Sequence, residues 1–178
     1  MTLAMAGQAS DGTITFTGAV TGNSCSVRIG AGGNSGIVAL PVVDVTALDA
    51  TSPSRTSSAG AFFQISLSHC VADQADLAGA TPTQVGIYFE AGPNVDHTTH
   101  ALINAGTSNV EVKLFQASQA NVIGQPITPG VAGDGQPGSQ AMAGVATQHF
   151  YAGYSLAGNA KATAGTVSAA VTYSLVYN

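Results

Sequence analysis

Apolar side chains recur at every second position in short runs along this chain, and polar, glycine-rich stretches separate the runs. Alternation is visible in Ile14, Phe16 and Val20; across residues 37–43; in Phe63, Ile65 and Leu67; in Val85, Ile87 and Phe89; and in Val110, Val112 and Leu114. It returns in Phe150, Ala152, Tyr154 and Leu156, and last in Val171, Tyr173, Leu175 and Tyr177. A period of two puts one face of an extended chain on a core and the other in water. The separators, residues 30–36, 51–60, 92–94 and 129–144, are rich in Gly, Pro, Asn and Ser and read as turns and loops. No stretch sustains the i, i+3, i+4, i+7 pattern of an amphipathic helix, so seven or so short strands in a β-sandwich are expected.

Two runs sit oddly in a closed sandwich. Residues 12–20 carry Gly12, Ile14, Phe16, Gly18 and Val20 on one face, with mostly small residues on the other. This is either an ordinary first strand covering its own core or a segment made for another surface. The final run alternates up to Tyr177, beside Asn178, where chain ends ordinarily fray, which predicts that this stretch is paired or gripped.

Composition narrows the class. Charged residues make up 7% of the 178 residues, against about 25% in an ordinary soluble domain. Four Lys plus Arg against nine Asp plus Glu give a net charge of −5, which lacks the cationic footprint needed for nucleic acid or an anionic membrane surface. No run of 18 apolar residues is present, so membrane insertion by a helix is not expected. Cys25 and Cys70 form no CxxC pair and stand in polar, strand-like contexts, which fits one structural disulfide in an exported chain or two buried reduced thiols. The small-residue start, with Ala4-Met5-Ala6 and Gly7-Gln8-Ala9 as candidate cleavage sites, reads residues 1–11 as a signal remnant or flexible N-terminal tail.

The run Asp11-Gly12-Thr13-Ile14-Thr15-Phe16-Thr17-Gly18-Ala19-Val20 ahead of Cys25 resembles the donor segment of pilins of the chaperone–usher pathway, the major subunits of type 1-like fimbriae. Three further features match that family in order: Phe63-Gln64-Ile65-Ser66-Leu67-Ser68-His69-Cys70, a second strand at Val38-Ala39-Leu40-Pro41-Val42-Val43, and Gly165 with the penultimate Tyr177. The resemblance implies an all-β, incomplete immunoglobulin-like β-sandwich lacking its last strand and completed by a donor strand from a neighbouring subunit. It divides the chain into residues 1–11, a donor strand over residues 12–22 and a pilin domain over residues 23–178. It further implies a Cys25–Cys70 disulfide, and a C-terminal strand (Val171, Tyr173, Leu175, Tyr177, with Gly165 upstream and the Asn178 carboxylate) that pairs first with a periplasmic chaperone. The outer-membrane usher, tip subunits and identical subunits in a helical polymer are the other implied partners. The implied product is an extracellular, cell-surface fimbrium that supports adhesion and biofilm formation as an assembled fibre. A minor adaptor or tip subunit, and an exported immunoglobulin-like binding module, are the alternatives.

Catalytic and cofactor chemistry finds little footing. Gly153-Tyr154-Ser155-Leu156-Ala157 lacks the last glycine of a nucleophile elbow and lies in a strand-like run. Asp96, His97 and His100 match no established metal-ligand spacing and lie in a Gly-Pro-Asn and Thr-Thr context typical of a loop. His69 and His149 fall at strand positions, residues 30–36 fit no phosphate loop, and nothing singles out Lys113 or Lys161 for an intramolecular cross-link. No enzyme activity, metal or cofactor is expected.

Overall fold

A computed structural model describes residues 24–48, 56–71, 84–131, 140–141, 146–156 and 160–177. Residues 12–22, the expected donor strand, and Asn178 lie outside the described residues. Eight strands are present among them: β1 (Ser24–Ile29), β2 (Thr56–Val71), β3 (Gln84–Phe89), β4 (Val110–Ala117), β5 (Ile123–Pro126), β6 (Gln140–Ala141), β7 (Ala146–Leu156) and β8 (Tyr173–Tyr177). They form a five-stranded sheet in the order β1-β2-β7-β4-β5 and a three-stranded sheet in the order β6-β3-β8, with every ladder antiparallel.

The period-two pattern sets which faces meet. Ile65 and Leu67 of β2, Val85, Ile87 and Phe89 of β3, Val112 and Leu114 of β4, and Phe150 and Ala152 of β7 turn inward and form one core. Phe150 stacks on Phe63 at 5.3 Å and meets Phe89 edge-on at 5.2 Å, so aromatic contacts join the two sheets at mid-height. A second cluster of Leu48, Val110, Tyr154 and Leu156 closes one end of the sandwich, which we call the upper end. Cys25 and Cys70 are joined in a disulfide at the opposite, lower end, where Ser24 of β1 stands across from Val71 of β2.

The expected strand over residues 37–43 is not formed. The segment has no regular structure and pairs with no described strand, and Pro41 removes one backbone donor from any ladder. The other differences concern unexpected strands and strand boundaries. β1 is a strand that the runs above omitted; β2 begins at Thr56, inside the expected turn; and β8 begins at Tyr173, leaving Val171 just ahead of it. β6 likewise falls within the expected loop over residues 129–144.

On the outer face of β4, Glu111 is 7% exposed and its Oε2 has no hydrogen-bond partner. Desolvation holds its carboxyl above the ordinary carboxylate range, Asp96 adds to this, and Thr99 and Lys113 oppose it. The folded state therefore holds the Glu111 proton more tightly than the unfolded chain. The stability from this group rises as pH falls through the raised value toward the ordinary 4.5, and is lowest at neutral pH. Glu111→Gln should raise the thermal midpoint at pH 7 by roughly 2–4 °C, with the gain shrinking on acidification. Calorimetry across pH 4 to 8 checks this, and a gain that grows toward acid would contradict it.

Candidate functional site

Among the described residues the sandwich is open along one seam. Among the described strands β1 is hydrogen-bonded only to β2, and β8 only to β3, so each sheet ends here in a strand with one free edge. The two edges face each other. The Tyr177 phenol oxygen is hydrogen-bonded to the backbone of Cys25, and Tyr173 donates its hydroxyl to the Asn34 carbonyl at 2.6 Å. The inward side chains of both strands, Cys25, Val27, Ile29, Tyr173, Leu175 and Tyr177, are only half-buried, although their counterparts in β2 and β3 are sealed. Correct alternation with incomplete burial is what two sheet edges show when the strand between them is absent.

Above Ile29 the seam continues between two segments that belong to no strand. On one wall Val38, Leu40 and Val43 turn toward the body, with Leu40 packed on both apolar clusters and the Tyr154 hydroxyl donating to the Pro41 carbonyl at 2.8 Å. Ile37 and Val42 on the same wall are fully exposed. The opposite wall is residues 160–172, with Val167 and Val171 half-buried against the core. A cavity of about 570 Å³ opens where β1 gives way to the first wall, lined by Ile29, Ile37, Val38 and Phe63 together with Phe62 and His149.

The upper wall carries no strand, so something else must fix it. A polar clasp does this: Asn104 donates its side-chain amide to the Ser108 and Thr166 carbonyls and accepts from the Gly106 and Ser168 amides. Asn109 donates to the Lys161 carbonyl and accepts from the Thr163 amide at 2.8 Å. Thr107 and Thr166 are bonded through their hydroxyls, and Thr166 also donates its amide to the Thr107 hydroxyl. Two backbone bonds, from the Ala105 amide to the Ser168 carbonyl and from Ser108 to Thr166, complete the contact. The approach is close enough to demand glycine. A Cβ on Gly165 would fall 2.5 Å from the Ser108 amide nitrogen and 2.7 Å from Thr107 Oγ1. Gly165 thus lies in the clasp and not in β8.

Other sequence candidates, apart from His149 in the cavity lining, fall away from the seam. Both backbone amides of Thr98 and Thr99 donate to the Asp96 carboxylate, at 2.6 and 3.0 Å, and hold it below the ordinary carboxylate range. Asp96 thereby stabilises its own turn. Among the described residues no three His, Cys, Asp or Glu side chains converge on a metal position. Ser155 is buried near the C-terminal end of β7 opposite Glu111. His69 is exposed with a φ of 51°, His149 is half-buried with an unpartnered Nε2, and the Lys113 ammonium reaches the Thr99 carbonyl at 3.4 Å. Sequence reasoning missed β1 as a groove wall, although Cys25, Val27 and Ile29 alternate, and it missed Val167 and both clasp asparagines. Short polar residues in loops leave no periodic signal.

The arrangement suits an extended apolar segment. Burial raises the Tyr173 and Tyr177 phenols above their ordinary range, and the Cys25 bond opposes this at Tyr177. No helix among the described residues is long and apolar enough to cross a membrane.

Comparison with known proteins agrees with this geometry. The chain is 33% identical to the major fimbrial subunit SMF-1 of Stenotrophomonas maltophilia (strain K279a), with 98% of this chain and 96% of that protein covered. It is 28% identical to the fimbrial protein FimX of Bordetella pertussis (strain Tohama I), over 98% of this chain and 92% of that one. Among solved structures, a chain of a chaperone–usher pilus matches with a TM-score of 0.59 at 18% identity, covering 98% of this chain and all of that one. The P pilus rod subunit PapA matches with a TM-score of 0.58 at 19% identity, covering 86% and 99%. Those two likenesses concern the fold. Residues 14–178 match the family described as fimbrial protein, and the chain belongs to that family.

Proposed function

We propose that this chain is the rod subunit of a cell-surface fimbria and polymerises head-to-tail, with residues 12–22 of one copy filling the open seam of the next. The chain is a structural subunit and not an enzyme, in keeping with its family and its major-subunit relative. The observation that carries the assembly step is the seam itself, two facing sheet edges each hydrogen-bonded on one side, lined by half-buried apolar side chains.

Length supports the match. Val167 is half-buried, as is every second residue from Val171 through Tyr173 and Leu175 to Tyr177, and this stretch of residues 167–177 is as long as residues 12–22. Eleven extended residues span about 36 Å. Placing Ile14, Phe16 and Val20 on the core would contribute roughly 1.5–3 kcal/mol each, and each new ladder bond about 1 kcal/mol net. Donor segment and seam are different surfaces of one molecule, so the contact is heterologous and grows an open filament. Before assembly the exposed edges need a temporary cover. A periplasmic chaperone strand beside β8, with basic residues holding the Asn178 carboxylate, would supply it, and an outer-membrane usher would host the exchange and join the rod to its tip subunits.

The test is truncation. A chain lacking residues 12–22 should stay monomeric, bind a synthetic peptide of residues 12–22 without measurable release over hours, and cap fibres of the intact chain. Electron microscopy of the intact chain should show long uniform rods. Fibre extension by the truncated chain, or failure to bind the peptide, would overturn the reading.

A further inference from the structure

The upper end of the sandwich carries apolar surface that its own fold does not use. Residues 40–48 place Leu40, Val43 and Leu48 on the cluster that also holds Val110, Leu156 and Val167. Between these anchors Val42 is 102% exposed and Val45 39%, and Asp44 caps the following 3-10 turn by accepting from the Thr46 amide at 2.9 Å and the Thr46 hydroxyl at 2.7 Å. The pad is therefore held outward by a capped turn and is not a loose loop.

We infer that the Val42–Val45 pad is the seat for the disulfide end of the next copy in the fibre, a second interface beyond the inserted strand. The inference rests on the head-to-tail reading above. β1 and β8 run in opposite directions along the seam, so an added strand is antiparallel to one and parallel to the other. Antiparallel pairing is the more stable per residue and falls to the longer wall, residues 167–177, so the strand runs antiparallel to β8. Its first residues then lie beside Tyr177 and its last ones beside Val167, at the pad end. Only four residue steps separate Val20 from Ser24, where β1 of the incoming copy begins, and four steps reach at most about 14 Å. Ser24 of the incoming copy is thus held within that distance of the place Val20 takes in the seam, at the end where Val43 and Val167 share one apolar cluster. The end it presents is set by its own fold: Ser24 opposite Val71, the Cys25–Cys70 bridge, and exposed His69. Burying Val42 and Val45 against that end removes apolar surface from water without contact to the donor residues themselves.

The double variant Val42→Asp/Val45→Asp separates the two interfaces. Made in the chain lacking residues 12–22, it should bind the synthetic peptide of residues 12–22 like the parent, because the peptide brings no body to seat. Made in the intact chain, it should give fibres that shed subunits in denaturant about tenfold faster or more. Equal loss of peptide binding would assign the pad to the groove, and unchanged fibre dissociation would show that nothing seats there; either result overturns the inference. Failure of the parent to bind the peptide would instead overturn the head-to-tail reading and this inference with it. A benzophenone amino acid at position 45 gives a second measurement: in fibres it should form adducts with peptides containing residues 24–25 or 69–71 of another copy. Adducts confined to other segments would place a different surface on the pad.

Discussion

Gly18→Trp is expected to abolish fibre growth while leaving the seam of the same subunit able to accept a donor. Gly18 shares its face with Ile14, Phe16 and Val20, so in the proposed exchange it points into the core between two large neighbours. With the ends of the two eleven-residue stretches aligned antiparallel, Gly18 falls opposite Val171, which is already half-buried on the core. An indole there needs space that a close-packed interior does not hold, and overpacking costs about 1–3 kcal/mol even when the added group is small. Strand insertion must proceed residue by residue in register, so one blocked position stops the rest. The polymer ladder on unheated denaturing gels reads the outcome: a rate at least about a hundredfold lower is expected. A normal ladder would mean that residues 12–22 do not enter the seam in this register.

The disulfide carries the next largest effect. Cys25 and Cys70 are 45 residues apart and tie the start of β1 to the end of β2 beside the free edge of the seam. In the chain-entropy picture a bridge closing such a loop stabilises by about 4 kcal/mol, a large share of the roughly 5–15 kcal/mol available to a domain. Cys25→Ser/Cys70→Ser, measured with the peptide of residues 12–22 bound, should move the urea midpoint down by about 2 M. A shift below about 0.5 M would show that pairing of β1 with β2 suffices to hold this edge.

The sequence made the sheet interior easy to read and the seam harder. Ile65, Leu67, Ile87, Phe89, Val112, Leu114 and Phe150 stood out because burial on one face imposes strict alternation, and all of them are core residues. Residues 37–43 alternate just as well, yet form no ladder. Periodicity reports which side of a chain seeks the core and is silent on whether a hydrogen-bonding neighbour is at hand, and at this wall the expected neighbour is another molecule. The converse held for β1, where Cys25, Val27 and Ile29 alternate too briefly beside a glycine-rich loop to be noticed. Gly165 was picked out by family resemblance alone; its physical reason, the Ser108 amide in the way of a Cβ, needs the fold. Asn104 and Asn109 were invisible because their partners, Thr166, Ser168, Lys161 and Thr163, lie more than 50 residues away.

The clasp between residues 104–109 and 161–168 is built from amides, hydroxyls and backbone, and its one contact with a charged residue is to the Lys161 carbonyl. Such bonds are neither screened by ions nor titrated between mild acid and mild alkali. In the proposed filament every joint rests on a wall set in this way, so the spacing between subunits is expected to be the same in fresh water, brine and body fluid.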